Sequence, residues 1–240
     1  MMSPLRIGWI GCGTHANEML LPQLMRHSVV IQALCDVSEE RLQETARRYG
    51  IAQKDCLKDW KALLARADLD AIGMAVGPVL HQEIGLAAVA CGLPVFIEKP
   101  PAATAHAARA LADASAARGV PVVLGFMKRY STANRIAANL VHDQKFGVAA
   151  SFLGQYMTAP TYFEKDIDYT GFYLHHCVHY FDLVPHLMGA VTHVSSRRFQ
   201  IEPGKLLLHV DFAFASGGVG TLVMGTHQSL SLIHISEPTR

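Results

Sequence analysis

The chain has 240 residues, 50% of them hydrophobic and 17% charged, enough for one large domain or two small ones with a real core. Its 21 Lys and Arg against 20 Asp and Glu leave a formal charge of +1, so no long-range field draws it to nucleic acid or to an anionic membrane. No apolar run reaches the roughly 18 residues of a membrane span, no apolar leader segment precedes the first strand-like run, and the 5 cysteines show no C-x-x-C spacing; a soluble, cytoplasmic chain with reduced thiols is expected, without a disulfide framework or a zinc site.

Short β-rich runs alternate with helical stretches through the first half, the pattern of a parallel sheet covered by helices on both faces. Leu5 to Ile10 reads as a strand ending in Gly11-Cys12-Gly13, a helix follows from about Thr14 to Met25, and a second strand runs from Val29 to Cys35. Helices are expected at Glu39 to Tyr49, stopping at Gly50, and at Trp60 to Ala65, before a strand at Ala71 to Val76. Helix Pro78 to Cys91, strand Val95 to Ile97, helix Thr104 to Arg118 and strand Val122 to Leu124 complete a doubly wound α/β domain over residues 1–125.

After Gly125 the texture changes. A helix near Thr132 to Asp143 is followed by strand-like stretches at Val148 to Thr158, Val191 to Phe199, Leu206 to Ala215 and Val219 to Thr226, which read as mostly antiparallel. Gly217-Gly218 signals a two-residue hairpin, and the alternation of His209, Asp211 and Ala213 with Val210, Phe212 and Phe214 predicts one buried face. With a helix from Phe172 to Met188 ended by Gly189, residues 126–229 read as a second unit of α+β type. The last eleven residues, 230–240, match at every codon of a back-translation the mosaic end and adapter of a transposon-based sequencing library; they are expected to be an artefactual tail on a truncated chain and are left out of the fold reasoning.

Gly11-Cys12-Gly13-Thr14-His15-Ala16 fits G-x-G-x-x-G/A between a first strand and a helix. Gly11 allows the tight turn, Gly13 lets a pyrophosphate approach the backbone, and Ala16 lets helix pack on strand; Thr14 and His15 belong to the same turn, at a helix N-terminus that favours anions. Asp36 ends the second strand 23 positions after Gly13, close to the spacing of about 20 at which an acid binds the adenosine ribose 2′-OH. Motif and acid together make residues 1–125 a Rossmann-type dinucleotide-binding domain; the acid favours NAD, while Ser38 and Arg41 just downstream leave NADP open. Asp36 also reads as the start of the next helix.

Val95-Phe96-Ile97-Glu98-Lys99-Pro100 puts a charged pair and a proline at the carboxyl end of a buried strand, where open α/β sheets bind ligands. Together with the turn at 11–16, His81 after Gly77-Pro78, and Gly125-Phe126-Met127-Lys128-Arg129-Tyr130, this resembles the Gfo/Idh/MocA oxidoreductase family over residues 5 to about 228. The resemblance implies that Glu98, Lys99, Pro100 and His81 lie with the cofactor. It also implies that Lys99 touches nicotinamide and substrate, and that Lys99 carries proton traffic with a histidine of the second domain, here His179. Removing a hydride from an alcohol carbon requires loss of the hydroxyl proton, which a lysine of depressed pKa can accept.

The expected helix at 172–188 carries His175, His176, His179, Asp182 and His186. On a regular helix 175, 179, 182 and 186 share one face and His176 points elsewhere. The family pattern is an acid, a histidine four later and an aspartate three beyond; His179 and Asp182 match it, and His175 stands where the acid is usual. His175, Asp182 and Arg129 are the expected substrate residues. Imidazoles four apart can chelate zinc, but no Glu adjoins the first as in H-E-x-x-H and hydride transfer with a lysine needs no metal, so none is expected. The polar and aromatic loop Thr161 to Tyr169 suits the wall of a sugar site.

The resemblance implies an NAD-preferring dehydrogenase of a sugar, polyol or cyclitol, with residues 126–229 as an incomplete substrate and oligomerisation domain and a homo-oligomeric full-length protein. An NAD-recycling glycoside hydrolase of the same fold and a non-catalytic nucleotide- or sugar-binding regulator are the alternatives.

Overall fold

Six runs pair as one parallel sheet: Leu5–Ile10 (β1), Val29–Cys35 (β2), Cys56–Leu57 (β3), Ala71–Met74 (β4), Val95–Ile97 (β5) and Val122–Leu124 (β6). Their order is β3-β2-β1-β4-β5-β6, the arrangement of a dinucleotide-binding fold, as the alternating pattern predicts. This computed structural model describes residues 3–143, 145–159 and 170–227, and the chain divides into two compact units, Met1–Gly125 and Phe126–Arg240. The loop at 161–169 and the tail at 230–240 lie outside the described residues.

In the first unit the helices are Leu21–Leu24 (α1), Glu39–Tyr49 (α2), Trp60–Leu64 (α3), Pro78–Ala90 (α4) and Ala105–Arg118 (α5). Ser38 and Thr104 cap α2 and α5 by accepting the N–H groups of Arg41 and Ala107. Two apolar cores flank the sheet: Ile72, Met74, Ile84, Ile97 and Leu111 on one side, Ile7, Trp9, Leu21, Leu34 and Leu42 on the other. The helix expected from Thr14 is not α-helical throughout, because Ala16–Leu20 form a π-turn in which the Leu21 N–H donates to the Ala16 carbonyl. β3 has no counterpart among the strands read from the sequence; two residues are too few to show a period.

The second unit has a 3-10 turn at Met127–Tyr130 and helix Thr132–Val141 (α6), then strand Ser151–Met157 (β7) and helix Thr170–Phe172 (α7). A π-turn at Tyr173–Cys177 leads into Val178–Met188 (α8), followed by strands Val191–Glu202 (β8), Lys205–Phe214 (β9) and Val219–Gly225 (β10). The sheet order is β7-β10-β9-β8. β9 pairs antiparallel with β8 and with β10, but β10 and β7 are parallel. Intervening helices and strands, rather than a tight turn, connect that last pair, as parallel pairing requires. The alternation read in β9 holds: Leu206, Leu208, Val210, Phe212 and Phe214 are buried and pack with Val184 of α8.

The Gly217-Gly218 hairpin differs from the two-residue form. Phe214 N–H donates to Gly218 O and Gly217 N–H to Phe214 O, so Ala215, Ser216 and Gly217 make a three-residue reversal with Gly217 at φ +86°.

Candidate functional site

The turn after β1 is built by close approach. Gly11 has φ +94°, and a Cβ there would stand 2.3 Å from the Ala75 carbonyl oxygen, so β1 and the segment after β4 meet at a separation only glycine permits. Gly13 is the opposite case: nothing lies within 4 Å of where its Cβ would be, which leaves the backbone open to an incoming phosphate. Beneath the turn, the fully buried Trp9 donates its indole N–H to Gly11 O at 2.8 Å. Asn17 Nδ2 donates to Cys12 O at 2.9 Å and to Thr45 Oγ1 at 2.8 Å, fixing the turn from the helix side. Sequence reasoning passed over both residues, since neither sits at a motif position. Thr14 and His15 are exposed and Ala16 is buried, the division a phosphate-facing helix start needs.

Asp36 is buried at the end of β2, where Oδ2 accepts the Cys12 N–H at 2.7 Å and Oδ1 accepts the Ser38 N–H at 2.8 Å. One carboxylate thus ties the glycine-rich turn to the start of α2. Each oxygen keeps acceptor capacity for a ribose hydroxyl. Arg41 is exposed in the first turn of α2, and its backbone N–H is used by the Ser38 cap. An open Gly13 cradle, a helix N-terminus and an anchored carboxylate together fit an adenine dinucleotide.

At the end of β5, Glu98 is buried, Lys99 half-buried and Pro100 buried, with a cis Lys99–Pro100 bond. Glu98 Oε2 accepts the Lys99 N–H at 3.0 Å, while Oε1 lies 3.8 Å from His15 Nε2. Burial pushes the Lys99 ammonium pKa down, and the Glu98 charge partly pulls it back up. His81, in α4, is 1% exposed and uses both ring nitrogens on protein backbone: Nε2 accepts the Val76 N–H at 3.0 Å, and Nδ1 lies 2.8 Å from Pro100 O. A carbonyl only accepts, so Nδ1 carries the proton and the ring is neutral. His81 therefore holds the segment after β4 and the segment after β5 to each other through their backbones.

In the second unit His179 is buried on α8, its ring edge-on to Phe126 with centroids 6.2 Å apart. Arg129 and Asp182, expected to face substrate, hold each other: Nε and Nη2 of the guanidinium donate to the two carboxylate oxygens at 2.6 and 2.5 Å. The expectation that 175, 179, 182 and 186 form one regular helical face is corrected by the π-turn, in which the Val178 N–H donates to Tyr173 O five residues back. His175 is exposed while His179 is buried. His176, expected to point away, packs inward, with Nδ1 2.6 Å from the Tyr156 hydroxyl and its ring stacked on Tyr156 and Phe172. Lys128 lies over the Tyr180 ring at 4.7 Å, and burial pushes that phenol up to about 12. His186 lies edge-on to His142, and burial, followed by Arg129, lowers its pKa. Among the described residues no group of three or more His, Cys, Asp or Glu is placed to hold a metal.

An apolar cleft of about 490 Å³, lined by Trp9, Phe96, Met19, Leu24 and Val123 among others, opens on the first sheet. Its lining includes none of the residues of the glycine-rich turn or of Glu98–Pro100, and it offers few polar groups to orient a ligand.

Comparison with known proteins gives the same reading. Residues 5–126, half of the chain, match the model of the GFO_IDH_MocA oxidoreductase family, described as an NAD-binding Rossmann fold. An inositol 2-dehydrogenase of Klebsiella pneumoniae is 30% identical over 146 residues, 60% of this chain and 43% of that protein. A levoglucosan dehydrogenase of Pseudarthrobacter phenanthrenivorans is 26% identical over 176 residues, 70% of this chain and 45% of that protein. The matches to these curated relatives span less than half of their length. Among solved structures, a dehydrogenase from Chromobacterium violaceum superposes with a TM-score of 0.83 at 29% identity, covering 95% of this chain and 68% of that one. The chain belongs to the Gfo/Idh/MocA oxidoreductase family, whose dinucleotide-binding domain is an NAD-binding Rossmann fold.

Proposed function

We propose that the protein is an NAD-dependent oxidoreductase that moves a hydride between nicotinamide C4 and a hydroxyl-bearing carbon of a sugar, polyol or cyclitol. The observation that carries this is the junction at Glu98: the carboxylate that holds the Lys99 backbone also faces His15 of the glycine-rich turn, joining a dinucleotide cradle to a half-buried amine. When bound, the nicotinamide supplies the hydride acceptor or donor. The chain's own residues bind and orient the dinucleotide through Gly11, Gly13 and Asp36, and Lys99, its proton affinity lowered by burial, takes up or returns the hydroxyl proton. His179, buried on α8, is the second residue proposed for that proton. His175 is proposed to touch substrate from its exposed position, where the family pattern has an acid. Relatives named for inositol and levoglucosan support a polyhydroxylated ring as substrate.

NAD is favoured over NADP because a 2′-phosphate would meet the Asp36 carboxylate. Localisation in the cytoplasm and a homo-oligomeric full-length protein belong to the same reading. Among the described residues no helix is long and apolar enough to cross a membrane.

The test is absorbance of NADH during incubation of the full-length protein with NAD and a panel of cyclitols, polyols and anhydrosugars. Steady accumulation with one member supports the proposal. Sugar consumption with no net NADH points to an internally recycled cofactor, and binding of NADH without turnover points to a regulator.

A further inference from the structure

Gly125, directly after β6, has an ordinary φ and no turn to make, yet the space beside it is filled. A Cβ built there would stand 2.6 Å from Glu98 Oε1 and 2.8 Å from Cδ. The carboxylate of Glu98 is therefore laid against the Gly125 backbone, on a residue whose side chain is only 10% exposed. Burying a carboxylate is costly unless it is bonded or paired. Here the described partners are the Lys99 N–H at 3.0 Å and the imidazole of His15 at 3.8 Å. Those two partners belong to the two halves of the proposed reaction centre, the proton carrier and the dinucleotide turn.

We propose that Glu98 is a positioning residue for Lys99, that it joins Lys99 to the glycine-rich turn through His15, and that position 125 is glycine because the Glu98 carboxylate occupies the place of its side chain. The proposal rests on the functional reading above for the role of Lys99, but not for the geometry. Among the described residues of the first unit, the charged or titratable groups facing this cluster include Glu98 and Lys99 on the β5 extension, His15 on the turn and His81 on α4. His81 is held neutral by its two backbone bonds and contributes no charge. Glu98 opposes the effect of burial on Lys99, so removing its charge should make the amine easier to deprotonate.

The experiment follows Lys99 itself. In the full chain, lysines carrying isotopically labelled methyl groups are titrated by NMR, with the Lys99 signal identified by its loss in Lys99→Arg. Glu98→Gln should move the Lys99 titration to lower pH. Gly125→Ala should move it the same way by a smaller amount, because the new methyl displaces the end of a flexible side chain while leaving its charge on the protein. Glu98→Asp, which keeps the charge on a shorter stem, should fall between wild type and Glu98→Gln. If Glu98→Gln does not fold, Gly125→Ala and Glu98→Asp carry the test. Titration unchanged in all folded variants would overturn the proposal, as would a loss of melting temperature unaccompanied by any titration shift. A shift in a protein that oxidises no sugar would sink the functional reading and leave this inference standing. Turnover with no shift would sink this inference alone.

Discussion

Arg129 and Asp182, 53 positions apart in the chain, meet as a two-pronged ion pair, Nε and Nη2 each on its own carboxylate oxygen. The pair ties the 3-10 turn that opens the second unit to the middle of α8, three residues beyond His179. The Arg129 side chain is 38% exposed, so solvent screens part of the attraction. Asp182→Asn should lower stability by about 1–2 kcal/mol, a few degrees in Tm, and Arg129→Ala by a similar amount. In a double-mutant cycle the two losses should fall well short of additive. Additive losses would show that the pair does not form.

Gly11 and Gly13 should fail differently when replaced by alanine. At Gly11 the methyl collides with Ala75 O and the backbone sits at positive φ, so the fold should lose about 1–3 kcal/mol and NADH binding should go with it. At Gly13 the methyl enters open space, so Tm should stay near wild type while NADH affinity falls at least tenfold. Thermal melts and NADH fluorescence titrations on the two variants separate the cases; an unaltered affinity in Gly13→Ala would remove the phosphate from this turn.

Asp36→Ala should raise the ratio of NADP to NAD affinity by more than tenfold, since it removes the charge that opposes a 2′-phosphate. It should also loosen the turn, because the Cys12 and Ser38 N–H groups lose their acceptor. Calorimetric titration with each nucleotide reads both effects, and an unchanged ratio would argue that the carboxylate only holds the backbone.

His81 predicts a pH dependence of stability. Burial, the largest influence, lowers its pKa below the ordinary 6.5, opposed by the bond to Pro100 and reinforced by Lys99. In the interval between folded and unfolded pKa the unfolded chain binds more protons, so stability is fully present above about pH 6.5 and is lost as pH falls through the folded value. Protonation would also set an N–H against the Val76 N–H. Melting temperature should decline on acidification below pH 6.5, and His81→Gln should flatten that decline; equal slopes in the two proteins would exonerate the imidazole.

Lys99→Ala should abolish turnover of the full-length protein while leaving the Kd for NADH within about threefold, as expected for a group that acts on the reaction rather than on binding. For the wild type, the acid limb of the oxidation rate profile should lie below the usual lysine range, because burial favours the neutral amine. A variant retaining wild-type kcat would take the lysine out of the chemistry.

Local chemistry made much of this molecule legible. β1, β2, β5 and β6 run where the β-rich stretches place them, and α2 and α5 stop at glycines that no helix interior would favour. What stayed hidden has identifiable causes. Hydrophobic period does not report strand direction, so the parallel pairing of β7 with β10 was not visible. A π-turn changes hydrogen bonding without requiring a signal residue, which is why His175 and His176, just before α8, do not face as a regular helix would place them. The Arg129–Asp182 pair and the contact of Glu98 with Gly125 join residues distant in the chain, and one sequence carries no trace of such pairings.

Trp9 gives the molecule an optical reporter where it is most useful. Its indole is fully buried and bonded to Gly11 O, the first carbonyl of the turn expected to receive the dinucleotide. The chain has only one other tryptophan, Trp60, at the start of α3. In Trp60→Phe all tryptophan emission would come from beneath that turn, blue-shifted by its apolar surroundings. Bound reduced nicotinamide absorbs in the same spectral region and would quench it by energy transfer. Occupancy could then be followed continuously without an attached dye.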